Sequence, residues 1–165
     1  LDGRVAGVGE EGEVRAKAPQ LMSGYLDSSL DVDAFDDDGY FRTGDLGHLN
    51  ERGMLVITGR LKDVIIRKGE NVSAKEVEDH LYTHPKVADV AVIGLPDAER
   101  GEMVCAVVST AEGQDPITFD EMVEHLKAEG LMIQKVPERL EVVDAIPRNP
   151  AGKILKHDLR AQYGD

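Results

Sequence analysis

Two largely apolar runs, residues 87–95 and 103–109, lie between two helix-start signatures, and that arrangement leaves few folds open. Ser73 with Glu76 and Thr118 with Glu121 both follow the Ser/Thr-x-x-Glu pattern. In it, a hydroxyl and a carboxylate satisfy the N–H groups left free at a helix start. The first helix turns Val77 and Leu81 inward, with Tyr82 a further candidate, and ends before Pro85; the second carries Met122, Val123 and Leu126 inward and stops at Gly130. The apolar runs are short enough to be buried strands, joined by a polar loop over residues 96–102. Residues 63–67 and 140–143 add strands, residues 68–71 a turn, and residues 154–162 a closing helix. The mixture predicts a compact α+β domain, a small mixed sheet with helices, from Gly59 onward.

Residues 1–58 have a different texture. Residues 13–17 alternate, Tyr40-Phe41-Arg42 follows an acidic turn, and Met54-Leu55-Val56-Ile57 is a short apolar run. Gly12, Gly24, Gly39, Gly44, Gly47 and Gly53 punctuate these runs, so this part is expected to be β-rich, with little helix and little core of its own.

The net charge of −13 sets the chain against nucleic acid as a partner, while leaving room for a nucleotide beside Arg60, Lys68 or Lys153. The single cysteine, Cys105, lies in an apolar run and reads as a buried structural thiol, consistent with a reducing, cytoplasmic setting. No apolar run approaches the roughly 20 residues that span a bilayer, so no transmembrane segment is expected. The first residue is Leu1 rather than Met, which suggests a piece of a longer chain.

Several patterns resemble sites but lack what the chemistry requires. Gly7-Val8-Gly9-Glu10-Glu11-Gly12 spells a dinucleotide loop, yet two glutamates fall inside it and a strand follows, so a surface turn is the better account. A calcium loop starting at Asp31 would hold Asp36 and Arg42 at the sixth and twelfth positions, where Gly and Glu are required, so the acidic stretch from Asp31 to Gly39 reads as a solvated turn. His80 and His84 are one helical turn apart without a third ligand, and read as surface histidines rather than zinc ligands.

Three segments could carry chemistry. In Thr43-Gly44-Asp45 a carboxylate stands beside glycine, suited either to accept two ribose hydroxyls or to close an Asx-turn. Spacing by itself favours the turn. In Gly59-Arg60-Leu61-Lys62-Asp63 a charged pentapeptide separates two apolar runs, which marks an exposed boundary, flexible at Gly59. Arg60 could clamp ribose or phosphate there, or form a plain surface ion pair. In Pro147-Arg148-Asn149-Pro150-Ala151-Gly152-Lys153 a lysine follows a Pro- and Gly-rich turn, solvated or reaching toward an anion.

Taken in order, Tyr40-Phe41-Arg42-Thr43-Gly44-Asp45-Leu46, then Gly59-Arg60-Leu61-Lys62-Asp63, then the Pro147–Lys153 turn, the chain resembles the adenylate-forming superfamily over essentially its whole length. That superfamily comprises acyl- and aryl-CoA synthetases, luciferases and peptide-synthetase adenylation domains. Lys68-Gly69-Glu70-Asn71-Val72 and the helix after it look most like bacterial acyl-CoA (fatty-acid–CoA) ligases. The resemblance implies that residues 1–58 end a large N-terminal AMP-binding domain, 59–63 form a hinge, and 64–165 form a mobile C-terminal α+β domain. It further implies that Asp45 and Arg60 bind ATP or AMP, that Lys62 is the hinge residue, and that Lys153 contacts carboxylate and α-phosphate during adenylation. Gly69 and Asn71 would line the CoA channel. Some relatives carry a lysine where Ile66 stands here, and no role passes to that position. The implied reactants are ATP with Mg2+, a carboxylic acid and CoA, with Mg2+ held mainly by an N-terminal domain outside this chain. That domain carries the family's phosphate loop and acyl pocket, so this piece alone is expected to be nearly inactive. Two other readings compete: transfer to a carrier-protein thiol, against which an acidic surface weighs, and a non-catalytic α+β interaction module.

Overall fold

The computed structural model describes residues 3–164, so Leu1, on which the expectation of a longer chain rested, lies outside the described residues. The chain divides into two units, Leu1–Lys62 and Asp63–Asp165.

The first unit is built on an antiparallel sheet of β1 (Gly12–Ala16), β2 (Phe41–Leu49) and β3 (Leu55–Arg60), with β2 in the middle. Gly47 of β2 is there because the Val56 carbonyl oxygen lies 2.6 Å from where a Cβ would stand. The Gly7–Gly12 segment is a surface turn: Gly9 N–H donates to the Leu49 carbonyl over 2.8 Å, and Glu10 pairs with Arg4. Two expectations change. The acidic stretch includes one helical turn, α1 (Asp31–Ala34), where Asp31 and Asp33 stand at the positive N-terminal end of the aligned peptide dipoles. Gly59, read as a flexible boundary, is instead buried in β3 opposite Leu46. Only Leu61–Asp63 leaves the sheet, as a 3-10 turn.

The second unit is a five-stranded mixed sheet covered by helices on both faces, a mixed α+β fold. β4 (Val64–Arg67) and β5 (Glu70–Ser73) form a hairpin, so the expected turn over residues 68–71 contracts to Lys68 and Gly69, and Asn71 belongs to a strand. Helix α2 (Ala74–Leu81) follows, with Ser73 accepting from the Glu76 N–H. β6 (Val87–Asp97) and β7 (Gly101–Thr110) pair along their length, and the expected seven-residue loop between them shrinks accordingly. Pro96 fits inside β6 because that strand pairs on one side only. Helix α3 (Phe119–Ala128), with both halves of the Thr118–Glu121 capping box formed, carries the chain to β8 (Arg139–Val143), which runs parallel to β7. Helix α4 (Lys156–Tyr163) closes the unit.

The apolar runs are continuous because β6 and β7 are buried on both faces. Val90, Val92, Val104, Ala106 and Val108 pack with Val77, Leu81, Met122 and Leu126 of α2 and α3. Ala91, Ile93, Leu95, Cys105 and Val107 pack with Leu159 of α4 on the other side. Burial there pushes the Cys105 thiol up to about 12, which keeps it inert at neutral pH.

Beyond α2, His84 faces His125 of α3 edge-on, with ring centroids 4.8 Å apart, rather than pairing with His80. The Lys86 N–H donates to His84 Nδ1 over 3.2 Å, which requires a neutral ring nitrogen. Burial, then His125 and Lys86, hold the His84 pKa below its ordinary value, although Glu121 opposes them. A depressed histidine pKa means that the unfolded chain binds the proton more tightly. Stability from this group is therefore complete above about 6.5 and is lost as pH falls through the folded-state value. The denaturation midpoint should drop more steeply between pH 7.5 and pH 5 in the native chain than in His84→Gln. Equal slopes would remove His84 from the account.

Candidate functional site

In the first unit, the register of β2 and β3 sets Asp45 opposite Arg60. Arg60 Nε donates to Asp45 Oδ1 over 2.8 Å, with the two side chains 36% and 35% exposed. Asp45 is thus neither a free carboxylate nor the centre of an Asx-turn. It is one half of a cross-strand ion pair. Its backbone is fixed by Thr43, whose hydroxyl accepts from the Asp45 N–H over 3.0 Å and donates to the Val14 carbonyl over 2.6 Å. Thr43, Gly44, Arg60, Leu61 and Lys62 line an open depression of about 200 Å³ beside the pair. The pair spends one carboxylate oxygen and the guanidinium Nε. The other carboxylate oxygen and both terminal guanidinium nitrogens have no protein partner among the described residues. Such a site can accept from hydroxyls and donate to an anion at once.

In the second unit, Lys68 and Gly69 both have positive φ, 51° and 82°, between the paired residues Arg67 and Glu70. This is the mirror-image two-residue turn that matches strand twist, and Gly69 suits it for its backbone, since nothing stands within 4 Å of a Cβ there. Asn71 lies opposite Ile66 on the exposed face of the hairpin, while Ile65 and Val72 face the core.

Lys153 is exposed and has no ion-pair partner among the described residues. Its turn, by contrast, is tightly tied. Asn149 Oδ1 accepts from the N–H groups of Ala151 and Lys153 over 3.0 and 2.9 Å. The Asn149 N–H donates to the Lys153 carbonyl over 2.9 Å. Arg148 Nη1 donates to the Gly152 carbonyl over 2.6 Å, and its Nη2 and Nε donate to Asp89 of β6 over 2.6 and 3.2 Å. Burial raises the Asp89 carboxyl, but the Tyr82 hydroxyl and Arg148 more than offset this and hold it below the ordinary range. No sequence motif marks this set as a whole. An Asx-turn signal at Asn149, just ahead of Pro150, points to half of it; nothing local points to Asp89.

Lys62 is exposed in the 3-10 turn. The structure therefore pairs Asp45 with Arg60, places Lys62 beside the same depression, sets Gly69 and Asn71 on one hairpin, and gives Lys153 a turn of its own. Among the described residues no group of three or more His, Cys, Asp or Glu could hold a metal ion. No helix of the described residues is long and apolar enough to cross a membrane.

Residues 76–153 match the family model of the AMP-binding enzyme C-terminal domain. Salicyl-AMP ligase / salicyl-S-ArCP synthetase of Mycobacterium tuberculosis is 40% identical over 164 residues, 99% of this chain and 29% of that protein. Medium-chain fatty-acid–CoA ligase of Escherichia coli is 39% identical over 153 residues, 92% of this chain and 27% of that protein. The crystal structure of ATP-bound MatB from Rhodopseudomonas palustris superposes with a TM-score of 0.91 at 38% identity, over 99% of this chain and 32% of that one. The chain thus spans under a third of the length of these relatives.

Proposed function

Because this chain carries the C-terminal domain of the adenylate-forming enzymes, we propose that it serves an acid–CoA ligase as the mobile part of its active site. In this reading residues 1–58 complete a large nucleotide-binding domain, the hinge of 59–63 turns at Leu61–Asp63, where the chain leaves the sheet, and 64–165 are the moving domain. The observation that carries it is Lys153, an ammonium with no ion-pair partner among the described residues, on a turn held at both its N–H and its carbonyl. Such a group is prepaid in backbone order and free to meet an anion.

The reaction has two steps. A carboxylate oxygen of the acid bonds to the α-phosphorus of ATP as the bond to pyrophosphate breaks, and Lys153 stabilises the charge that develops. Asp45 accepts the ribose hydroxyls with the oxygen that Arg60 leaves free, and Arg60 donates to ribose or phosphate. Mg2+ would supply charge neutralisation on the triphosphate and would be held mainly by residues outside this chain. Rotation about Lys62 then withdraws Lys153 and presents the Gly69 turn and Asn71 to the pantetheine arm. The CoA sulfur bonds to the acyl carbon, AMP leaves with the electron pair, and closure keeps water from the adenylate. The relative named for fatty-acid–CoA ligation supports CoA as the acceptor, whereas the one named for salicyl-S-ArCP synthesis supports a carrier-protein thiol. The strongly acidic chain offers no positive patch on which an acidic carrier could dock, which weighs against that acceptor.

The test is AMP release by the complete enzyme with ATP and a panel of carboxylic acids, with CoA or a pantetheinylated carrier protein as acceptor. Acid-dependent AMP with CoA is the expected result. Turnover only with the carrier would replace the acceptor, and no AMP from any acid would leave a binding module.

A further inference from the structure

Beyond the reach of Lys153 itself, the turn that carries it is bolted to the core sheet by one guanidinium. Arg148 spans two bodies: its Nε and Nη2 donate to Asp89 Oδ2, and its Nη1 donates to the carbonyl of Gly152, the residue before Lys153. Asp89 sits in β6 between residues of the packed sheet, next to fully buried Val90, and its Oδ1 accepts from the Tyr82 hydroxyl over 2.6 Å and from the Val90 N–H over 3.0 Å. The carboxylate is therefore fixed before Arg148 arrives. The backbone of residue 148 also pairs with that of Ile154 across the turn, a tie that does not depend on the guanidinium.

An exposed ion pair of this kind adds little to stability. Its geometry does something else: three donors of one rigid plane set the height of a carbonyl above a strand. A lysine could satisfy Asp89 or Gly152 as a point charge but could not hold both in a fixed relation.

From this we infer that Arg148, seated on Asp89, is a positioning residue for Lys153, setting where the ammonium stands in adenylate formation. The inference rests on the role proposed for Lys153. A misplacement of about 1 Å at a reacting centre can cost roughly 100-fold in rate. Arg148 has no reason to touch the second half-reaction, from which Lys153 is withdrawn.

In the complete enzyme, Arg148→Ala should lower kcat for acid-dependent ATP–pyrophosphate exchange by about 10- to 100-fold, with KM for ATP and acid little changed. Transfer to CoA from a supplied acyl-adenylate and the thermal unfolding midpoint should both stay at their native values. Arg148→Lys should recover part of the loss. Asp89→Asn should reproduce a loss in exchange, and adding it to Arg148→Ala should cost little more, because the two act as one unit. A native exchange rate in Arg148→Ala would overturn the inference, as would equal losses in both half-reactions together with a lowered midpoint. Lys153→Ala run in parallel separates the two levels. If it leaves exchange intact, the role of Lys153 falls and this inference with it. If it abolishes exchange while Arg148→Ala does not, only the inference falls.

Discussion

Alanine in place of Lys153 should lower acyl-adenylate formation in the complete enzyme by about 10²- to 10³-fold, roughly 3–4 kcal/mol of transition-state stabilisation, and should leave thioester formation from a supplied acyl-adenylate unchanged. The size follows from what the side chain would do. In the proposed first step negative charge would gather between the acid and the α-phosphate, where, with water excluded, a preorganised cation would be worth far more than in solvent. The Lys153 ammonium is exposed, bound to no carboxylate among the described residues, and carried on a backbone already held at its N–H and carbonyl by Asn149. Little ordering is left to do at the moment of reaction. Lys153→Arg keeps the charge but spreads it over a longer, planar head, and should recover only part of the rate. Pyrophosphate exchange reads the first step, and release of AMP from synthetic adenylate with CoA reads the second. Equal losses in the two would show that one lysine serves both steps, and the alternating arrangement would have to be given up.

The features that local chemistry decides were legible in the sequence. The Thr118–Glu121 box forms as both of its hydrogen bonds because all its atoms lie within four residues, and the double-sided burial of β6 and β7 is written in their apolar runs. Strand extents were less legible. Gly59-Arg60 has the composition of a charged boundary, yet pairing with Leu46 and Asp45 holds both in β3, and a register irregularity between Leu46 and Gly47 helps to decide which residues meet. No local signal shows that irregularity, since it depends on how closely the Val56 backbone can approach Gly47. The Asp45–Arg60 contact was out of reach for the same reason: each residue was singled out, but their bond is a product of register. Asp89 and Arg148 are 59 residues apart, and their pairing becomes visible only when β6 and the turn are both in place.

Helix α4, which begins three residues after Lys153, depends more on one leucine than on all its charges. Its eight residues are too few for a stable isolated helix, and Leu159, 1% exposed, is its only buried side chain. Around it, Lys156 pairs with Glu78 at 2.7 Å, Arg160 with Asp63 at 3.1 Å, and Arg139 donates to the Tyr163 carbonyl over 2.9 Å. Leu159→Ala opens a cavity among Ala91, Ile93, Leu95, Cys105, Val107 and Ile146. Such a change costs about 2–5 kcal/mol where a whole domain has about 5–15. Lys156→Ala strands Glu78, but that carboxylate keeps the Val92 N–H at 2.7 Å and an edge open to water, so a loss of about 1–2 kcal/mol is expected. Thermal unfolding of the chain should therefore rank Leu159→Ala well below Lys156→Ala, by about 5–15 °C. The reverse order would mean that the helix is docked by its charges. Leu159→Ala should also speed amide exchange at Ala151 and Lys153, whose N–H groups donate to Asn149, because the turn loses the anchored helix at its far end.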